Sequence, residues 1–270
     1  MVRLRSRTIL PAAALLLCAA CVPLPQEEGV ARPASSGIVA GDFQPLDPGA
    51  NRQDSLHLRV HAYGADRAQA VSELAETLYS RVMTDTGLYS FVPRGLYPIV
   101  TYASREEYLR KTRLPEWSGG VSVGNSIFVY EGPRMPGILA HEMTHLIFFE
   151  YMGRSDEALR WVNEGLAVYE EQEALRAQGG GGPSLPLRKL PFREMIGMAP
   201  LSENQGSAGE WYLQVGSVVR FLIERGGRVG FSEFLKALHD GRGADEAVRT
   251  GFPGVWGGLG ALESSWQSSF

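Results

Sequence analysis

The chain has 270 residues, enough for one domain or two small ones, and its 44% hydrophobic content allows a true buried core. Its 26 basic and 30 acidic residues leave a formal net charge of −4. No stripe of Lys or Arg runs along any segment, which excludes nucleic acid as the expected partner.

Residues 1–20 read as an export signal. Arg3, Arg5 and Arg7 make a positive start, and residues 9–17 make an apolar run too short to span a bilayer. Leu17, Cys18, Ala19, Ala20 and Cys21 then resemble a bacterial lipobox, with Cys18 where leucine is more usual. That resemblance implies cleavage after residue 20 and lipidation of Cys21. The other reading is an ordinary secretory signal with an incidental cysteine. Cys18 and Cys21 are the only cysteines, so Cys21 has no intramolecular disulfide partner once the signal is removed. Residues 22–52 are rich in Pro, Gly, Ala and Ser, and they read as a flexible tether (residues 21–52 with the anchor) ahead of a body spanning 53–270.

The body opens with Leu56, Leu58 and Val60 alternating with polar residues, which is the strand period. His57 and His61 share the polar face of that strand with Arg59 and are expected to be solvated rather than metal-binding. Residues 66–86 form an amphipathic helix on Val71, Leu74, Leu78 and Val82, with Gly87 as its stop. Residues 98–102 read as a second strand. Ser104 and Glu107 have the spacing of a capping box. Residues 119–131 read as a hairpin turning at Gly124 and Asn125, and its second strand, residues 127–130, is expected to offer an open edge to an extended peptide. Beyond Pro136 the pattern is helical almost to the end, apart from a break at residues 179–182 with Pro183 and Pro186 behind it. No repeat is present.

Chemistry concentrates in two short segments. His141, Glu142 and His145 form an HExxH motif in a run of helical period. Residues four apart lie on nearly one face of a helix, so both imidazoles can point at one ion, while Glu142 projects beside that face. A glutamate so placed can take a proton from water whose pKa the ion has lowered. The second segment, WVNEGLA, supplies Glu164 after a turn around residues 153–156, where Asp156 can cap a returning antiparallel helix.

With both segments, the chain resembles the gluzincin zinc metallopeptidases, above all aminopeptidase-type enzymes and the smaller peptidase MA-like family. The resemblance extends over roughly residues 55–265, including the WSGGVSV stretch at residues 117–123. It implies an α+β, zincin-like fold: a sheet-containing part, residues 53–132, and a helical part, residues 133–270, carrying the HExxH and NEG helices. It implies one Zn2+ on His141, His145 and Glu164, with Glu142 as general base. Behind the ligands it places Asn163 and Glu171 as supporting partners, although Glu171 also reads as a solvated surface acid beside Glu170 and Glu173. Tyr212, in the segment that begins Glu210, Trp211, Tyr212, is the expected oxyanion donor, or else a core aromatic. No segment resembles an amino-terminus-binding motif, so exopeptidase activity is not implied.

The expected function is zinc-dependent hydrolysis of a peptide or protein substrate in the bacterial cell envelope. The alternative is a non-catalytic envelope lipoprotein that uses this fold as a binding module. The anchor would hold the protein to a membrane. Val22 and Pro23 follow Cys21 instead of an acidic pair, which by resemblance to lipoprotein sorting rules favours the periplasmic face of the outer membrane in a host that has one. Each acyl methylene buried adds about 0.8 kcal/mol of membrane affinity. Cys21→Ser should therefore release the protein into the soluble fraction or leave its signal uncleaved. Fractionation and mass spectrometry of the native terminus decide it, and an unmodified terminus at another residue would refute the lipid anchor.

Overall fold

The computed structural model describes residues 43–116, 118–180, 185–198 and 205–269. The expected signal, Cys21, the tether as far as residue 42, and Trp117 lie outside them.

Five strands form one mixed sheet: β1 (Ala50–Asp54), β2 (Leu58–Tyr63), β3 (Tyr97–Tyr102), β4 (Gly120–Val123) and β5 (Ser126–Tyr130), in the order β1-β2-β3-β5-β4. β2, β3 and β5 run parallel, while β1 and β4 pair antiparallel on the outside. The alternation read here holds for Leu58, Val60 and Ala62, which are fully buried, but not for Leu56, which precedes β2 and is exposed. Val60 aligns with Ile99 and Ile99 with Ile127, giving the sheet one apolar face. Helix α1 (Ala65–Thr86) covers that face with Val71, Leu78 and Val82, and it is the crossover that parallel β2 and β3 require. It ends at Gly87, whose φ of 68° suits glycine.

The opposite face carries a second core of Phe43, Tyr102, Tyr108, Val121, Val123 and Phe128 under α2 (Arg105–Thr112). Ser104 caps α2 by accepting the Glu107 N–H. The Glu107 carboxylate accepts from the Ala103 N–H, one residue before the cap, as well as from the Tyr63 hydroxyl. Lys111, 1% exposed, donates to the Pro45 carbonyl and to Asp47, each at 2.8 Å. Phe43 meets Phe128 edge to face at 4.8 Å. The folded body therefore reaches back at least to Phe43, and β1 crosses the expected tether boundary at residue 52. One aromatic and one buried lysine make that junction, and neither leaves a periodic signal.

A second correction concerns the edge. β5 lies between β3 and β4, so residues 127–130 offer no open edge, and the edge on that side is β4. A hairpin pattern shows that two strands pair, but the third neighbour comes from a distant parallel strand.

The chain then turns helical: α3 (Met135–Met152), α4 (Arg160–Arg176), α5 (Phe192–Gly197), α6 (Gln205–His239), α7 (Ala244–Gly251) and α8 (Leu259–Gln267). Gly153, at φ 63°, ends α3. Asp156 then accepts from the Ala158 N–H to start a 3-10 turn, Glu157–Leu159, that leads into α4. α6 is broken at Gly227, at φ 79°. Phe192, Phe252, Trp256 and Trp266 pack the late helices into the same core as α1 and the sheet. The class is α+β, with the sheet first and the helices after it. Among the described residues, no helix is long and apolar enough to cross a membrane.

α4 and α6 meet at glycines. A Cβ on Gly165 would stand 2.6 Å from both the Val215 carbonyl oxygen and Val219 Cγ2, and one on Gly216 would stand 2.5 Å from Val168 Cγ1. Alanine in place of a helical glycine gains about 1 kcal/mol from the backbone, whereas overpacking costs about 1–3 kcal/mol. A carbonyl in a helix cannot rotate away, so the clash wins. Gly165→Ala should lose up to about 2 kcal/mol, read as a lower urea midpoint at unchanged slope.

Candidate metal centre

α3 is buried on nearly all sides, so its hydrophobic residues form no single stripe. Leu139, Ala140, Met143, Leu146 and Ile147 wedge it between the sheet and the other helices. Pro136 fits its first turn. On this rigid rod His141 and His145 stand one turn apart, ring centroids 4.8 Å from each other and nearly perpendicular at 82°. α4 runs back antiparallel and presents Glu164, which is fully buried, with Oε2 3.7 Å from His145 Nε2.

Each imidazole is held from behind. His145 Nδ1 bonds the Asn163 side-chain oxygen at 3.0 Å, and His141 Nδ1 bonds Glu171 Oε2 at 3.2 Å. Both partners are acceptors, so each Nδ1 donates its hydrogen outward and each Nε2 is turned toward the centre. Both Nε2 atoms are buried without a hydrogen-bond partner, as are both Glu164 oxygens and Glu142 Oε1. Buried polar atoms are rarely left this way. One ligand atom from each of His141, His145 and Glu164 falls within a set no more than 4.8 Å apart. Two ligands of one tetrahedral ion stand about 3.4 Å apart, given bonds near 2.0–2.1 Å. The group can thus hold a metal ion after a small contraction, and the orphaned atoms are those such an ion would satisfy.

The electrostatics agree. Burial disfavours a charged Glu164, and although His141 opposes this, Glu142 adds repulsion and the carboxyl rises to about 8. Burial also works against a charged His141, yet Glu171, Glu142 and Glu164 outweigh it and raise the imidazole to about 9. Burial, then the neighbouring His141, drives His145 down to about 3. Three carboxyl groups around two imidazoles lack positive charge, and a bound cation would supply it.

Every residue expected at the centre is on α3, α4 or α6. His141, Glu142, His145 and Glu164 converge, and Asn163 and Glu171 bond to the imidazoles; Glu171 is thus no solvated surface acid. Tyr212 is buried on α6, edge to face with Trp211 at 5.1 Å, one turn before the Gly216 contact with α4. Trp211 donates to the Met195 carbonyl of α5 at 2.8 Å, which fixes this end of α6. His57, expected to be solvated, is instead partly buried, bonding Glu76 at 2.8 Å and stacking on Tyr79.

Three features escaped the sequence. Arg134 donates to Glu171 Oε1 at 2.9 Å. Gly137 leaves room for α4, since a Cβ there would come 2.8 Å from Leu175 and 3.1 Å from Glu171 Cγ. A glycine one turn before His141, inside a helical pattern, is the signal that could have revealed this close approach. Glu170, grouped with the surface acids, is instead fully buried without a partner for either oxygen. Burial, then Asp85, pushes its carboxyl well above the usual range, against Arg81 and Arg228. An open pocket of about 440 Å³ nearby is lined by Arg81, Asp85, Glu173, Arg176 and Arg228, but its acids are already paired with arginines and it takes no part in the centre.

No family model matches the chain, and no curated protein matches it in sequence.

With three ligands on two packed helices, the purified protein should hold one divalent ion per chain, and His145→Ala should lose most of it. Metal analysis after dialysis is the check; full occupancy in His145→Ala would remove that residue from the site.

Proposed function

We propose that the chain is a zinc peptidase of the gluzincin type, hydrolysing peptide bonds at the cell envelope from a lipid anchor on Cys21. One observation carries this reading: two buried imidazoles and a carboxylate converge with free ligand atoms, and a further buried carboxylate, Glu142, stands beside them. Two histidines and one carboxylate are the donor set of a catalytic zinc site, which keeps a position open, rather than of a closed structural one. Bound there, zinc supplies Lewis acidity, polarising a carbonyl and making water more acidic.

The chain's own groups account for the rest. Glu142 is next to His141 on α3 and has an oxygen with no other partner, so it is available to take the proton of the attacking water. As the carbon–nitrogen bond breaks, the same carboxyl returns that proton to the leaving amine. Asn163 and Glu171 hold the imidazoles so that both Nε2 atoms face the centre. Tyr212 is the candidate donor to the developing oxyanion. β4, the edge strand, packs against α3 so closely that a Cβ on Gly120 would stand 2.5 Å from Ile138. An extended peptide laid along that edge would pass close to the helix that bears the histidines.

The test is cleavage of a peptide library by the zinc-loaded protein, with and without a chelator. Glu142→Gln should keep the metal and the fold but lower turnover by about 10²–10⁴-fold, because an amide cannot accept the proton. Tyr212→Phe should lower kcat by about 10²-fold with little change in KM. Wild-type turnover in a folded Glu142→Gln protein would take Glu142 out of the mechanism, and an unchanged Tyr212→Phe would return Tyr212 to the core.

A further inference from the structure

We propose that Arg134 is a positioning residue for the metal centre, acting through Glu171 to hold the His141 imidazole; the inference rests on reading His141, His145 and Glu164 as metal ligands. The chain of contacts is short. Arg134 Nη2 donates to Glu171 Oε1 at 2.9 Å, and Glu171 Oε2 accepts from His141 Nδ1 at 3.2 Å. The two oxygens of one carboxylate are thereby divided, one to the guanidinium and one to the imidazole.

A carboxylate on a glutamate side chain has three rotatable bonds, and a single contact to His141 would leave its plane free to swing. The second contact removes that freedom. Arg134 is well suited to provide it because its backbone belongs to the same rigid unit as His141. It is the residue at the amino-terminal cap of α3, its carbonyl accepts the Ile138 N–H at 3.1 Å, and Pro136 follows in the first turn. His141 lies seven residues on, two turns along the same face. Arg134 therefore ties Glu171, which arrives on α4, to the helix that carries the ligand. Gly137, between the two, gives Glu171 the space to enter.

The guanidinium is about half exposed, with 53% of its side chain accessible, so its charge alone is worth little in water. Its effect is geometric, and it should appear in metal affinity rather than in fold stability. Partners behind metal ligands typically contribute 10–100-fold in affinity.

The experiment uses the full chain stripped of metal and titrated with zinc against a chromophoric chelator. Arg134→Ala should weaken zinc binding about tenfold and speed its dissociation. Arg134→Lys, which can still donate one bond to Glu171 Oε1, should keep most of the affinity. In a Glu171→Gln background, Arg134→Ala should add no further loss, since its route is already cut. The thermal midpoints of the metal-free proteins should agree; should Arg134→Ala fail to fold, Arg134→Gln makes the same comparison. Wild-type affinity in Arg134→Ala would overturn the inference, as would an equal loss in the lysine variant or a further loss on the Glu171→Gln background. A wild-type chain that takes up no zinc would instead sink the metal-site reading itself.

Discussion

A buried ionisable cluster must find its partners inside the protein, because burial strips away most of the water that would otherwise solvate it. Between α3 and α4 this chain buries two imidazoles with Glu142 and Glu164, and leaves five of their polar atoms without a hydrogen bond. Placing carboxylates so deep without a counter-charge costs several kcal/mol per ion, and a fold that does so needs a compensating group. A cation held by His141, His145 and Glu164 would supply that compensation. The architecture around the cluster can be understood as the means of keeping those atoms in place.

The means are mainly steric. α3 sits against the sheet through Ile138 and Gly120, against α4 through Gly137 and Leu175, and α4 sits against α6 through Gly165 and Gly216. At each contact a missing side chain lets two elements approach closely, and helices packed so closely have little room to slide. The hydrogen-bonded residues behind the imidazoles then set ring orientation on a scaffold that is already fixed. Glu171 shows the division of labour. Its position comes from helix packing, its orientation from Arg134, and its effect is exerted on His141.

The sheet contributes in another way. Its parallel centre is buried on both faces, by α1 and α3 on one side and by α2 with Phe43 on the other. The antiparallel hairpin at its margin brings β4 alongside α3 and ends the sheet there. Lys111 and Phe43 stitch the start of the described chain onto the outer face of the same sheet.

The local signals in the amino-acid sequence determined most of the elements. Alternation marked β2, helical spacing marked α1, Gly87 and Gly153 marked helix ends, Gly124 and Asn125 marked the hairpin, and the four-residue spacing of His141 and His145 put both rings on one face. These are short-range consequences of backbone period and side-chain type, so they can be read without neighbours. The family-like NEG segment pointed to Glu164, Asn163 and Glu171, whose partners are all on α3. Tertiary structure alone decided which strand forms the edge, that the body begins by residue 43, that Glu170 turns inward while Glu171 reaches His141, and that Arg134 completes that contact. Each of these depends on which surface of one element meets another. Glu170 and Glu171 are adjacent acids of equal propensity, and only the position of α1 on one side of α4 and α3 on the other assigns them different surroundings.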